Sequence, residues 1–106
     1  MRKSTKLLAS ITLLGLSNLA LAAGTIPTKD KSKKDYHTLA TVSLVDAVGA
    51  ALTKVPGKAV DAELDSEKGF LVYEVKVIGD DGSTHKLEVD AGNKEILKDD
   101  VKKGIH

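Results

Sequence analysis

Ser83 and His85 stand two residues apart, with Asp80 and Asp81 just upstream. These are the residue types of a hydrolytic relay, in which a histidine takes the serine proton and a carboxylate orients the imidazole. Two positions apart on a strand point the same way, so Ser83 and His85 would share a face. Nothing in the spacing turns that face toward an acid or an oxyanion hole, and the stretch reads instead as the end of a hairpin turn followed by a strand. Asp80, Asp81, Gly82 and Ser83 also present oxygens to a hard cation, yet calcium takes about six to eight oxygen ligands in a set order and this turn supplies few. His85 alternates with Leu87 and Val89, which assigns it to the rim of a buried face with one ring nitrogen partnered. His37 and His106 fall in polar flanking segments, and the chain has no cysteine. The expectation is a protein with no catalytic, metal or cofactor site, and not an enzyme.

The elements around these residues are more explicit. From Leu44 to Val55, a rotation of about 100° per residue gathers Leu44, Ala47, Val48, Ala51, Leu52 and Val55 on one side of a helix. Ser43 is placed to accept a hydrogen bond from a free N–H of the first turn, and Asp46 three residues on completes a capping-box pattern. Pro56 disfavours helical geometry at Val55, and Gly57 offers the positive φ that often closes a helix, so the helix should end near Lys54 or Val55. After Gly57 the period becomes two. Val60, Ala62 and Leu64 form one inward set, Leu71, Tyr73, Val75 and Val77 the next, and Leu87 and Val89 a third, before the short run Glu95–Leu97. The turns Ser66–Gly69, Gly79–Ser83 and Asp90–Lys94 are too short for parallel crossovers, which need a dozen or more residues, so the strands form an antiparallel meander. The predicted fold class is α+β, one amphipathic helix packed on a three- to four-stranded antiparallel meander sheet. In chain order the first strand is an edge, where Asp61, Glu63 and Asp65 discourage further pairing. Phe70, Val72 and Ile78 interrupt the polar outer face and are expected to be covered by the tail beyond Leu97 or to be scattered at the surface.

The flanks set the compartment. Arg2, Lys3 and Lys6 precede the apolar run Leu7–Leu16, and small residues Ala20 and Ala22 follow, which is the pattern of a secretory signal peptide cleaved between Ala22 and Ala23. A bilayer span takes about 20 mostly apolar residues, so no stable membrane insertion is expected after cleavage. The chain has 16 basic and 15 acidic residues. Residues 1–22 hold three of the basic ones and none of the acidic ones, which leaves 13 against 15 and a net charge of −2. That balance, with Tyr36, Phe70 and Tyr73 as the aromatics, gives no footing for nucleic-acid binding. Residues 23–40 are polar and lysine-rich and read as a flexible leader with a short helix near Tyr36. Residues 98–106 read as a polar tail. An exported chain of this size without disulfides must rely on packing, and its modest core leaves room for self-association.

Several runs resemble a known family. Val42-Ser43-Leu44-Val45-Asp46-Ala47-Val48, then Ala51-Leu52, then Val55-Pro56-Gly57-Lys58, are similar to the helix and stop of a PepSY domain. Tyr73-Glu74-Val75-Lys76-Val77 and Leu87-Glu88-Val89-Asp90-Ala91 resemble its central strands, and Gly92-Asn93-Lys94-Glu95-Ile96-Leu97 its closing segment. The likeness covers residues 41–97. The closing turn departs from the family's Asp-Ala-x-Thr-Gly, since Asp90-Ala91-Gly92-Asn93-Lys94 has its glycine displaced. The resemblance implies a domain of the kind found in pro-regions of secreted metallopeptidases, and hence a protein partner that is a peptidase or, in the alternative, an envelope sensor. On this reading the chain is an exported binding module, periplasmic or secreted, that inhibits or modulates a peptidase; the alternative is an envelope ligand-sensing or scaffolding protein acting through its sheet surface.

Overall fold

A computed structural model describes residues 24–103. The processing site expected between Ala22 and Ala23, and His106, lie outside them. Within them the main helix, α2, runs Leu44–Lys54, preceded by a 3-10 turn at Lys33–Asp35 and a single helical turn, α1, at Tyr36–Leu39. Four strands follow: β1 Gly57–Glu67, β2 Phe70–Gly79, β3 Thr84–Asp90 and β4 Ile96–Lys102. They form one antiparallel sheet in chain order, with α2 packed chiefly across the first three strands.

The helix starts where its cap demands. Ser43 Oγ accepts the Asp46 N–H at 3.0 Å, satisfying one donor of the first turn, and the Val55 N–H closes the last turn on the Ala51 carbonyl at 2.8 Å. Contact with the sheet centres on Ala47 and Ala51, both fully buried, with Val48 and Leu52 half-buried on either side. Leu44, assigned by periodicity to the buried stripe, is 44% exposed, because the stripe is wider than the strip of sheet it covers. Gly57 is also a glycine for a reason other than the one expected. Positive φ occurs at Gly69 and Gly82 but not at Gly57; a Cβ at Gly57 would instead collide with the Ile78 carbonyl oxygen and come within 2.8 Å of Gly79 Cα. The helix-to-strand junction thus lies directly against the far end of β2.

On the helix side of the sheet, Leu71, Val75, Val77, Leu87 and Val89 are fully excluded from solvent and Tyr73 nearly so. Cross-strand register lines up Leu64, Tyr73 and Val89 in one row and Ala62, Val75 and Leu87 in the next. Burial keeps the Tyr73 phenol above its usual pKa, and its Oη donates to the Val42 carbonyl at 2.7 Å, tying the segment ahead of α2 to the middle of the sheet. The β1–β2 hairpin turns through Lys68 and Gly69, both with positive φ, as a two-residue turn of the favoured twist requires. Two expectations for the strands are corrected. A bulge between Ala59 and Asp61 turns Val60 out of the inward set, and it is 56% exposed. Residues 98–102, read as tail, belong to the sheet as the outer half of β4; the charges of Lys98, Asp99 and Asp100 obscured their alternation. The former tail therefore lies beside β3 and does not cover the outer face.

Residues 24–28 add a fifth, very short extension. Backbone bonds run from the Leu71 N–H to the Ile26 carbonyl and from the Thr28 N–H to the Gly69 carbonyl, both at 2.9 Å, so this stretch occupies the position alongside β2 that β3 leaves after Asp90. Thr28 and Ser66 hydroxyls pair at 2.6 Å, and Thr25 Oγ1 donates to Asp90 Oδ1 at 2.9 Å. Further on, the N–H groups of Thr41 and Val42 both reach the Ala91 carbonyl. Hydrogen bonding of this kind needs no apolar period, which is why the composition of 23–40 did not announce it.

Candidate functional site

The residues that invited a catalytic reading are dispersed by the fold. Ser83 is buried, and its N–H donates to Asp81 Oδ1 at 2.9 Å. That backbone bond is the main cause holding the Asp81 carboxyl below its usual pKa. His85 turns elsewhere: its Nδ1 lies 2.9 Å from Asp99 Oδ1 and 3.2 Å from Oδ2. Asp99 stands opposite Leu87 in the β3–β4 register and so points to the helix side of the sheet, beyond the strip that α2 covers. An acid is tolerated there because that margin is open to water. His85 at the rim with one nitrogen partnered is as the alternation required; its partner lay in the segment read as tail. Among the described residues no hydrogen bond joins Ser83 to His85. His85 and Asp99 sit at the mouth of a cleft of about 380 Å³ between the end of α2 and the β2–β3 turn, with Lys54, Pro56 and Asp80 on its walls. Its polar groups are engaged with one another rather than converged on a reacting atom.

The opposite face of the sheet carries no helix, and its side chains form ordered rows. One row, in strand order, is Asp61, Lys76, Lys86, Asp100; the next is Glu63, Glu74, Glu88, Lys98. Lysine therefore faces lysine and glutamate faces glutamate across neighbouring strands. Glu67, Glu74 and Glu88 bring carboxylate oxygens within 4.8 Å of one another. Burial, reinforced by Glu67 and Glu74, raises the Glu88 carboxyl above the usual range, while Lys98 and Lys68 oppose the shift. All three glutamates are half-exposed, and a cluster of exposed carboxylates does not by itself make a metal site. Lys76, Thr84, Lys86, Asp100 and Lys102 border a shallow trough of about 500 Å³ on the same face. Sequence reasoning recognised the face as polar but not its rows, because the register of one strand against the next is a long-range pairing that no local pattern marks.

A third cluster closes the end of the sheet. Asp90 is fully buried; its Oδ1 accepts from Thr25 Oγ1 and from the Gly92 N–H at 2.7 Å, and among the described residues its Oδ2 has no partner. The side chain organises the β3–β4 turn and the incoming residues 24–28 together. A Cβ at Gly92 would meet Thr25 Oγ1, so a side chain there would displace that hydroxyl from Asp90.

Fold and surface define a class: a small α+β domain with one helix on one side of an antiparallel sheet, a charged open face on the other, and no assembled catalytic relay among the described residues. Comparison of the sequence with protein families agrees. The chain belongs to the PepSY family, described as the peptidase propeptide and YPEB domain, with residues 41–100 matched. PepSY domains are generally non-catalytic and often interact with peptidases. No curated protein and no solved structure matches the chain. No helix of the described residues is long and apolar enough to cross a membrane.

Proposed function

We propose that the chain is a non-catalytic, exported binding module that docks on a secreted or periplasmic peptidase and restrains it. The observation that carries this reading is family membership across more than half of the chain, covering the whole of α2 and the first three strands. Export is supported by Arg2, Lys3 and Lys6 ahead of an apolar run that ends in Ala20-Leu21-Ala22. Processing there predicts an exported species whose N-terminal residue is Ala23, and a full-length mass in the exported fraction would contradict it. The function is tested by adding the purified exported protein to an exported metallopeptidase of the same organism. A saturable loss of peptidase activity is expected; unchanged activity across an excess of the module would overturn the reading.

A second reading, an envelope scaffold or sensor acting through its sheet surface, is favoured by one specific observation. No helix covers the outer face, and its like-charged cross-strand pairs cost stability in the isolated domain. Such an arrangement suits a surface that meets a complementary one.

A further inference from the structure

Over β2, β3 and β4, the two charged rows of the outer face are related to each other by a change of sign. Each of three successive strands carries one acid and one base two residues apart: Glu74 and Lys76 on β2, Lys86 and Glu88 on β3, Lys98 and Asp100 on β4. Register assembles Lys76, Lys86 and Asp100 into one row and Glu74, Glu88 and Lys98 into the next. Asp61, Asp100 and Lys98 stand directly across from Lys76, Lys86 and Glu88 on their other flanks, yet within the described residues none of Glu74, Lys76, Lys86 and Glu88 has an oppositely charged group within 4 Å. Each of the four central charges thus has a like charge directly across at least one strand and makes no close ion pair within its own sheet, Glu74 having a glutamate on both sides.

A twofold axis lying in the plane of this face, across the strands and midway between the two rows, resolves the conflict. It lays each strand on its own copy in the reverse direction, so that each row meets the other row. Lys76 then faces the partner's Glu74, Lys86 faces the partner's Glu88, and Lys98 faces the partner's Asp100. Symmetry makes each contact twice, as in any isologous interface. Because strands fan apart with the twist of the sheet, the pairs on β2 and β3, nearest the centre, coincide best. β1 breaks the pattern, since Asp61 and Glu63 are both acidic. That margin has a cation of its own: Lys33 Nζ lies 3.5 Å from Glu63 and 3.7 Å from Asp65.

We infer that the outer sheet face is a self-recognition surface whose occupant is a second copy of this chain, docked by reciprocal Lys–Glu pairing about that axis. The inference rests on neither reading of the function, only on the register and the charges. Exposed ion pairs contribute little singly and are screened by salt, so the dimer is weak and disperses as ionic strength rises.

Sedimentation equilibrium of the full exported chain at about 20 mM and about 500 mM salt reads this directly. The wild-type chain should dimerise at the lower salt and lose at least about tenfold in affinity at the higher. The double variants Lys76→Glu/Lys86→Glu and Glu74→Lys/Glu88→Lys should each be monomeric alone and should form a heterodimer when mixed. Where charge reversal unfolds the chain, seen as loss of circular dichroism, the neutral variants Lys76→Gln/Lys86→Gln and Glu74→Gln/Glu88→Gln replace them, and each should weaken the dimer at least about tenfold. A wild-type chain that stays monomeric at low salt, a dimer indifferent to salt and to these variants, or reversed variants that fail to pair on mixing would overturn it.

Discussion

Lys94 has φ of 70°, a conformation that crowds a side chain against its own carbonyl, and it stands where the family's Asp-Ala-x-Thr-Gly pattern has glycine. The chain's glycine is two positions earlier, at Gly92, where a Cβ would displace the Thr25 hydroxyl. Lys94→Gly should therefore stabilise the fold by about 0.5 to 1 kcal/mol, the relief of the left-handed conformation less the added freedom of the unfolded chain. A urea melt showing no gain would mean that the lysine is not strained there. Glu88 makes the second prediction at this scale. Its folded pKa is raised by burial and by Glu67 and Glu74, so the folded chain holds a proton that the unfolded chain releases. The favourable contribution is complete below the unfolded value near about 4.3 and is lost as pH rises through the raised folded value. Glu88→Gln should thus gain about 0.2 to 1 kcal/mol at neutral pH in dilute, monomeric solution, the range for removing a like-charged cross-strand pair, and the gain should vanish below about pH 4. Urea melts across that range test it; a gain that persists in acid would contradict the electrostatic cause. Of the site residues, His85 was legible because alternation fixes which way a strand residue points. Asp99 was not, since its role depends on pairing with β3 rather than on any neighbour in sequence.

The helix illustrates how far local signals reach. Ser43, Asp46 and Pro56 bracket it in the sequence, and the structure begins and ends it at those marks. What local periodicity could not supply was the depth of docking: two alanines set it, and Leu44 is left half outside. The strands were legible in existence and order but not in extent. β1 begins at Gly57, three residues before its alternation starts, because the bulge at Val60 interrupts the pattern in the middle of a continuous ladder. The same ladder explains the junction. Gly57 faces Gly79 across the β1–β2 pair, and a side chain there must push against the Ile78 carbonyl, so Gly57→Val should destabilise by about 1 to 3 kcal/mol. Pro56→Ala should cost only about 0.4 to 1 kcal/mol, since it acts through the freedom of the unfolded chain. Comparative urea melts rank the two, and a Gly57→Val protein as stable as wild type would show that the two backbones have room to separate. Residues 24–28 lay beyond such reasoning, for their place beside β2 is fixed by one residue from each of three strands and one from a turn: Ser66, Leu71, Asp90 and Gly69.

At the scale of the molecule, one helix covers one side of the sheet and leaves the other as an ordered charged surface. The residue types that suggested hydrolysis are spent on turn geometry and on a His85–Asp99 hydrogen bond at the sheet margin, and the activity proposed above is recognition. This leads to a sharp contrast between a binding module and an enzyme. A stoichiometric titration of an exported metallopeptidase with the wild-type chain and with His85→Gln, both checked for native circular dichroism, is the most direct measurement. The account predicts the same saturable loss of peptidase activity with both proteins, levelling off at a fixed ratio of module to peptidase. No loss at any ratio, or a loss that deepens with time and depends on His85, would contradict it.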